Sequence, residues 1–306
     1  MSDIPQTSAE WAEHFERNLE VLLPMPWEQA ATWSDEEKAS LGPSLQEFQL
    51  GETSDGSRLM ARAEQYAAET GDGDYVEAMQ LFVREEQRHS RLLGSFLTQA
   101  GMELRLSTWL DRAFRKLRRW SGLEFAIMTL TTAEIVGTVY YRSLRDATRC
   151  LLLRRICQQL LRDELMHLRF HAQRLARIRM GHAKWRVAGR MLLHRFLVGI
   201  AGVLVWFRHR SAFRAGRYTF LRCARREWRA ECAKFQKEAT PRAMEEKREP
   251  SMAWGKVMWM RSECSKGLSI PLTRTLGNSP LAHRWNARTI VSPAGEKVII
   301  SACRGR

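Results

Sequence analysis

Residues Val83–Leu93 read VREEQRHSRLL. On a helix, side chains three and four positions apart share a face. The apolar seam through this stretch runs Met79, Phe82, Leu93, Phe96 and Ala100, and it passes through Glu86 and His89. Arg84, Gln87, Arg88 and Arg91 fall on the opposite side and read as the solvated face. A carboxylate in a core seam needs a physical reason, because burying it without a partner is costly and usually ends in protonation.

The same interruption recurs. A predicted helix over about 149–179 has the seam Leu153, Cys157, Leu160, Glu164, His167, His171. A helix over about 121–147 has Leu123, Ile127, Leu130, Glu134, Gly137, Tyr141. A long helix from Pro43 to about Thr70 has Leu45, Phe48, Glu52, Leu59, Ala63, Tyr66. Each seam holds one acid, and two add a histidine one turn later. Four carboxylates in one core require cations, and a pair of divalent metals supplies them. Oxygen and imidazole donors without thiolate suit iron, with manganese the alternative. Expected ligands are Glu52, Glu86, His89, Glu134, Glu164 and His167. Glu52 precedes a Ser-Asp-Gly-Ser run that is poor helix, so Glu47 and Glu64 stand as alternatives. His171 reads as a satisfied core or outer histidine rather than a ligand.

These helices predict an all-α fold: a four-helix bundle with a long crossover at 101–120, plus additional helices over about 183–208 and 211–239. Thr7 and Glu10 predict a capping box on a short helix over 8–20, and Ser34 with Glu37 a second start near 35–41. The chain divides into an N-terminal helical segment (1–42), the bundle (43–180), basic additional helices (181–240) and a poorly ordered basic tail (241–306). TIVSPAGEKVIISA near the end predicts a small hairpin.

Composition bounds the setting. The 306 residues are globular in character, with 44% hydrophobic and 27% charged. Cys150, Cys157, Cys223, Cys232, Cys264 and Cys303 form no CxxC pair, which argues against an iron–sulfur or zinc-ribbon module and for a reducing, cytoplasmic location. The polar, acidic N-terminus is read as carrying no signal peptide. The apolar run Phe196–Phe207 is too short for a transmembrane segment and is read as a buried helix, with an interfacial helix as the lesser alternative. Residues 1–110 hold 8 Lys and Arg against 20 Asp and Glu; residues 111–306 hold 41 against 14. The basic part is expected to meet an anionic partner.

EEQRHSRLL (85–93), following the ETG of 69–71, and DELMH (163–167) resemble the ferritin-like superfamily of di-iron carboxylate proteins. Within it they look most like the soluble acyl-carrier-protein desaturases and the ribonucleotide reductase small subunit. The resemblance covers about residues 43–180. It implies two irons held by the six residues named above. It also implies that Asp163 supports His89 and that Glu85 supports His167. The position that holds the reductase's radical tyrosine is Leu93 here, so a tyrosyl-radical role is not expected. Where the desaturases have a threonine, this chain has Gly137; Thr138, one residue on, matches the placement in multicomponent monooxygenases and is a candidate helper in proton delivery.

The function expected is an O2-dependent oxidoreductase that hydroxylates or desaturates an organic substrate, with an acyl chain as a candidate, beside a pocket of Leu92, Leu93, Phe96 and Leu97. Electrons would come from a ferredoxin or reductase. That partner, or an acyl carrier protein, would dock on Arg112, Arg115, Lys116, Arg118 and Arg119. A homodimer is the expected assembly. The alternatives are a ferroxidase or other iron-handling protein, and a tRNA-modifying hydroxylase whose basic, aromatic stretch 208–229 meets nucleic acid.

Overall fold

The computed structural model describes residues 4–53, 56–105, 122–243, 287–291 and 297–301. Residues Met1–Ala253 form one compact unit and Trp254–Arg306 a second. The described part of the first is all-α, its helices packed into a bundle. In the second, β1 (Ala287–Val291) pairs antiparallel with β2 (Lys297–Ser301), Thr289 opposite Ile299. The expected hairpin is present there. The remainder of the expected tail and the basic cluster Arg112–Arg119 lie outside the described residues.

Helix α1 (Ser8–Glu20) begins at Thr7, whose hydroxyl accepts from the Glu10 amide while the Glu10 side chain accepts from the Thr7 amide, the capping box read from sequence. It buries Trp11, Phe15 and Asn18 and lies along α4. A 3-10 turn (Trp27–Thr32) leads to α2 (Asp35–Gly51), capped by Ser34.

The expected first bundle helix, Pro43 to Thr70, is divided. Helix α2 starts early and runs through Pro43, and α3 (Ser57–Thr70) starts only after a break at Glu52–Gly56. Proline removes one helical hydrogen bond, but Leu41, Leu45 and Leu50 are buried on either side of it and carry α2 across. The break falls where Thr53 and Gly56 disfavour helix; Gly56 has φ 70°, a left-handed conformation, with Val83 against its Cα.

Helix α4 (Asp74–Gln99) receives α2, α3 and α1 along its length. Helices α5 (Leu123–Ala147) and α6 (Leu151–Ile178) pack against one another, and α6 also meets α4. Phe82, Leu93, Phe96, Ile127, Val139, Leu153 and Leu160 fill the core between them. Helix α7 (Lys184–Arg208) lays His194, Val198, Ala201 and Val205 against the bundle, chiefly on α5. Gly202 admits the indole of Trp228, which an added Cβ would meet at 2.7 Å.

The expected helix over 211–239 is interrupted. Helix α8 (Arg210–Ala215) ends at Gly216, and Arg217 is left-handed at φ 62°. Gly216 sits so close to Ser143 that a Cβ would lie 2.3 Å from its carbonyl oxygen. The chain restarts at Thr219, whose hydroxyl caps α9 (Phe220–Arg222); a π-helical turn (Cys223–Glu227) then leads into α10 (Trp228–Glu238). Among the described residues two helices, α5 and α7, are long and apolar enough to cross a membrane; α5 is largely buried in the bundle, whereas α7 is not. Helix α7 is thus twice as long as the uncharged run within it.

Candidate metal centre

Helix α4 supplies Glu86 and His89, and α6 supplies Glu164 and His167. Ligand atoms of these four residues all lie within 4.8 Å of one another. His167 Nδ1 is 3.0 Å from Glu86 Oε1 and 3.7 Å from Glu164 Oε2; His89 Nδ1 is 3.7 Å from Glu164 Oε1 and 3.8 Å from Glu86 Oε1. The spacing of three within each helix sets each acid and its histidine one turn apart on a single face.

The two ring nitrogens of each histidine face different surroundings. His89 Nε2 is 3.1 Å from Asp163 Oδ2, and His167 Nε2 is 3.0 Å from Glu85 Oε2. Each histidine therefore reaches the acid that precedes the ligand glutamate of the opposite helix. In the neutral ring that a metal requires, Nε2–H donated outward leaves the Nδ1 lone pair of each histidine pointing inward. Neither Nδ1 has a hydrogen-bond partner, and neither do Glu86 Oε1 and Glu164 Oε2, although all are buried. Orphaned buried acceptors are rare in folded proteins. Here they converge, and their chemistry matches the donors of a divalent metal. These four residues form a group that could hold a metal ion.

Behind the centre lies a polar layer. Arg88 donates to Asp163 at 2.9 Å and also pairs with Glu85. Asn18, from α1, donates to Asp163 Oδ1 at 3.0 Å and to Glu85. Gln159 donates to both Asp163 oxygens, at 2.9 and 3.0 Å. Arg88 thus leaves the solvated face assigned to it: it is buried, because its partners Glu85 and Asp163 are wholly buried and a cation between them offsets their charge. Arg88, Asn18 and Gln159 went unread in the sequence. Only the Glu85–Arg88 spacing of one turn carried a signal, and it resembles an ordinary surface pair.

The other two expected ligands arrive from α5 and α2. Glu134 is buried with both oxygens unpartnered, Oε1 lying 3.5 Å from His171 Nε2. Glu52 is the C-terminal cap of α2, and its Oε1 accepts from the Tyr141 hydroxyl at 2.5 Å. It is close enough to Glu86 and Glu164 for their charges to act on it. The alternatives stand elsewhere: Glu47 is held by Arg105 and Arg208, and Glu64 is exposed. Thr138 is buried, and its hydroxyl donates to the Glu134 backbone carbonyl at 2.8 Å, one turn back. His171 is fully buried, but the satisfied histidine expected there is not found: neither ring nitrogen has a hydrogen bond. It stands edge-on to Phe82.

Charge crowding shows in the proton affinities. Burial, then the nearby Glu86 and Glu164, pushes Glu52 up to about 8. Burial, then Glu164, holds Glu134 well above the usual carboxylate range, and burial followed by Glu86 lifts Glu164. Burial opposes charge on His89, but the hydrogen bond to Asp163 and the charge of Glu86 outweigh it and raise the ring to about 9. Burial and the charge of His167 push His171 down to about 3. The cluster thus holds more carboxylate than its own histidines neutralise, which is the electrostatic condition for cation binding.

No family model, curated protein or solved structure matches this chain.

Proposed function

We propose that this chain is a ferritin-like di-iron carboxylate protein that activates O2 to oxidise an organic substrate. The carrying observation is the set of buried, unpartnered acceptor atoms on Glu86, His89, Glu164 and His167 that converge within 4.8 Å, each histidine tethered from behind by an acid of the facing helix. Glu52 and Glu134 complete the ligand set in this reading. A bound iron pair would supply the electrons and the Lewis acidity for O2 reduction.

The chain's own residues have definite parts. Asp163 and Glu85 fix the tautomer and orientation of His89 and His167. Arg88 and Asn18 hold those acids in place by donating to both. Tyr141 steadies Glu52 through its hydroxyl. Leu92, Leu93, Phe96 and Leu97, all buried on α4, exclude water on one side of the centre. Thr138, one turn from Glu134, carries a hydroxyl proton into this apolar surround. A ferredoxin or reductase would deliver electrons, because the chain has no CxxC pair to hold an electron-transfer cluster of its own.

The test is metal content with an optical spectrum of the oxidised protein. Two irons per chain with an oxo-bridged band, both lost in Glu86→Ala and His167→Ala, are expected; a chain that binds no iron refutes the reading. Hundreds of irons per assembly would favour iron storage. Ferrous protein that ignores O2 would remove the oxidase function and keep the centre.

A further inference from the structure

Helix α7 presents to solvent what a soluble helix normally buries. Trp185, Leu192, Phe196, Ile200, Val203 and Phe207 recur at three and four residues along one side, and all are exposed: Trp185 by 76%, Phe196 by 63% and Phe207 by 65%. At about 1.5 Å per residue this stripe is about 33 Å long. Single exposed apolar residues are ordinary, whereas a continuous patch on this scale marks a surface built to meet something apolar.

The polar groups around the stripe say what that is. Helix α7 contains no acid; the chain has none between Glu164 and Glu227, an interval with 15 Lys and Arg. Seen down the helix axis, Lys184 flanks the stripe on one side and Arg186 on the other, both exposed. Beyond its C-terminal end follow exposed Arg210, Arg214 and Arg217, and Leu221, 58% exposed, extends the apolar surface. A tryptophan at one end, phenylalanines along the face and cations on both flanks form the pattern of a helix lying in a membrane interface, its apolar side in the acyl boundary and its cations at the headgroups. The opposite side is spoken for: His194 Nε2 is 3.3 Å from Thr131 Oγ1 on α5, Arg195 donates to Gln236 at 2.7 Å, and Gly202 is filled by Trp228. A helix anchored along its length on the bundle lies on a bilayer rather than crossing it.

We propose that the α7 face is a docking surface for an anionic lipid bilayer and brings the bundle to the membrane as a peripheral protein. Apolar burial holds it there, and the acid-free arginine field selects anionic headgroups. The proposal is independent of the metal centre, because no residue of the stripe touches that cluster.

Flotation of the full-length chain with lipid vesicles tests it. Binding to vesicles of phosphatidylcholine with 30% phosphatidylglycerol is expected, at least ten-fold stronger than to phosphatidylcholine alone and reduced by 0.5 M salt. The double change Phe196→Glu and Phe207→Glu should abolish flotation and leave the helical circular-dichroism spectrum and the metal content intact. Brominated anionic lipid should quench tryptophan fluorescence, less so in Trp185→Phe. The proposal is overturned if the native chain does not float with anionic vesicles, or if the double variant floats as well as the native chain. It is equally overturned if a solution dimer that the same variant splits into monomers fails to bind lipid, since the face then belongs to a second copy.

Discussion

His167 and Glu85 sit on facing helices with Nε2 and Oε2 3.0 Å apart, and this one contact leaves Nδ1 of the ring facing the Glu86–Glu164 cluster. Asp163 does the same for His89 at 3.1 Å. Removing such an outer partner commonly costs 10- to 100-fold, on that order, in metal affinity. Glu85→Gln is therefore expected to weaken Fe(II) or Mn(II) binding by about that factor with the fold preserved, read by metal titration and circular dichroism. Unchanged affinity would mean that the pairing is structural only.

Glu134 makes the opposite case for stability. Both of its oxygens are buried without hydrogen bonds, and its proton affinity is raised well above normal by burial and by Glu164. In the metal-free protein this carboxyl opposes folding. Glu134→Leu should stabilise the metal-free chain by about 1–3 kcal/mol, the scale of an unsatisfied buried polar group. The same change should shrink the gain in Tm on adding Mn(II), a gain that measures binding to the folded state. A metal-free Tm that falls would contradict this account.

Tyr141 tests the place of Glu52. Its hydroxyl donates to Glu52 Oε1 at 2.5 Å, and once a metal has displaced the Glu52 proton, a hydrogen bond to that charged acceptor contributes about 1.5–3 kcal/mol. Tyr141→Phe is expected to weaken one of the two metal-binding steps about ten-fold and leave the other unaltered, as read by calorimetric titration. Equal loss at both steps, or at neither, would remove Glu52 from the ligand set.

Away from the centre, His194 gives the protein an acid-sensitive fold. Burial, with Arg179 adding to it, lowers the ring to about 4 from 6.5, so it stays neutral in the folded chain where the unfolded chain takes up a proton. The unfolded state binds more protons between these two values, so stability is full above pH 6.5 and declines as pH falls toward 4. From pH 7 to pH 5 this single ring should cost about 2 kcal/mol, given about 1.4 kcal/mol per pKa unit. Urea unfolding of His194→Gln should show a correspondingly shallower loss over that interval. A loss as steep as in the native chain would assign the acid sensitivity to other groups.

What could be read from sequence follows from what is local. Glu86 with His89 and Glu164 with His167 were legible because each pair needs only one helical turn, and because an acid in an apolar seam breaks the pattern around it. The start of α1 was legible for the same reason, its capping box spanning four residues. The division of α2 from α3 was signalled by the poor-helix Ser-Asp-Gly-Ser run but overridden, because the seam Leu45–Tyr66 keeps its period across it. Arg88 was misplaced because an arginine among charged neighbours is ordinarily wet; what buries it is Asp163, 75 residues away. The apolar run in α7 was expected to be buried, and it is its flank of His194, Val198 and Val205 that is, since hydropathy alone does not say which side of a helix finds a partner.

Asn18 reaches across from the first helix to Asp163, 145 residues along the chain, and to Glu85 between them. During synthesis, α1 and α4 leave the ribosome long before the acid and histidine of α6 exist to meet them. Glu86 and His89 alone offer half a cage, and Asn18 has only one of its two anions. The Asn18 network is complete only when α6 has docked and brought Asp163 to it. Without the Asn18 amide, the carboxylates of Glu85 and Asp163 behind the two histidines would each lack one donor.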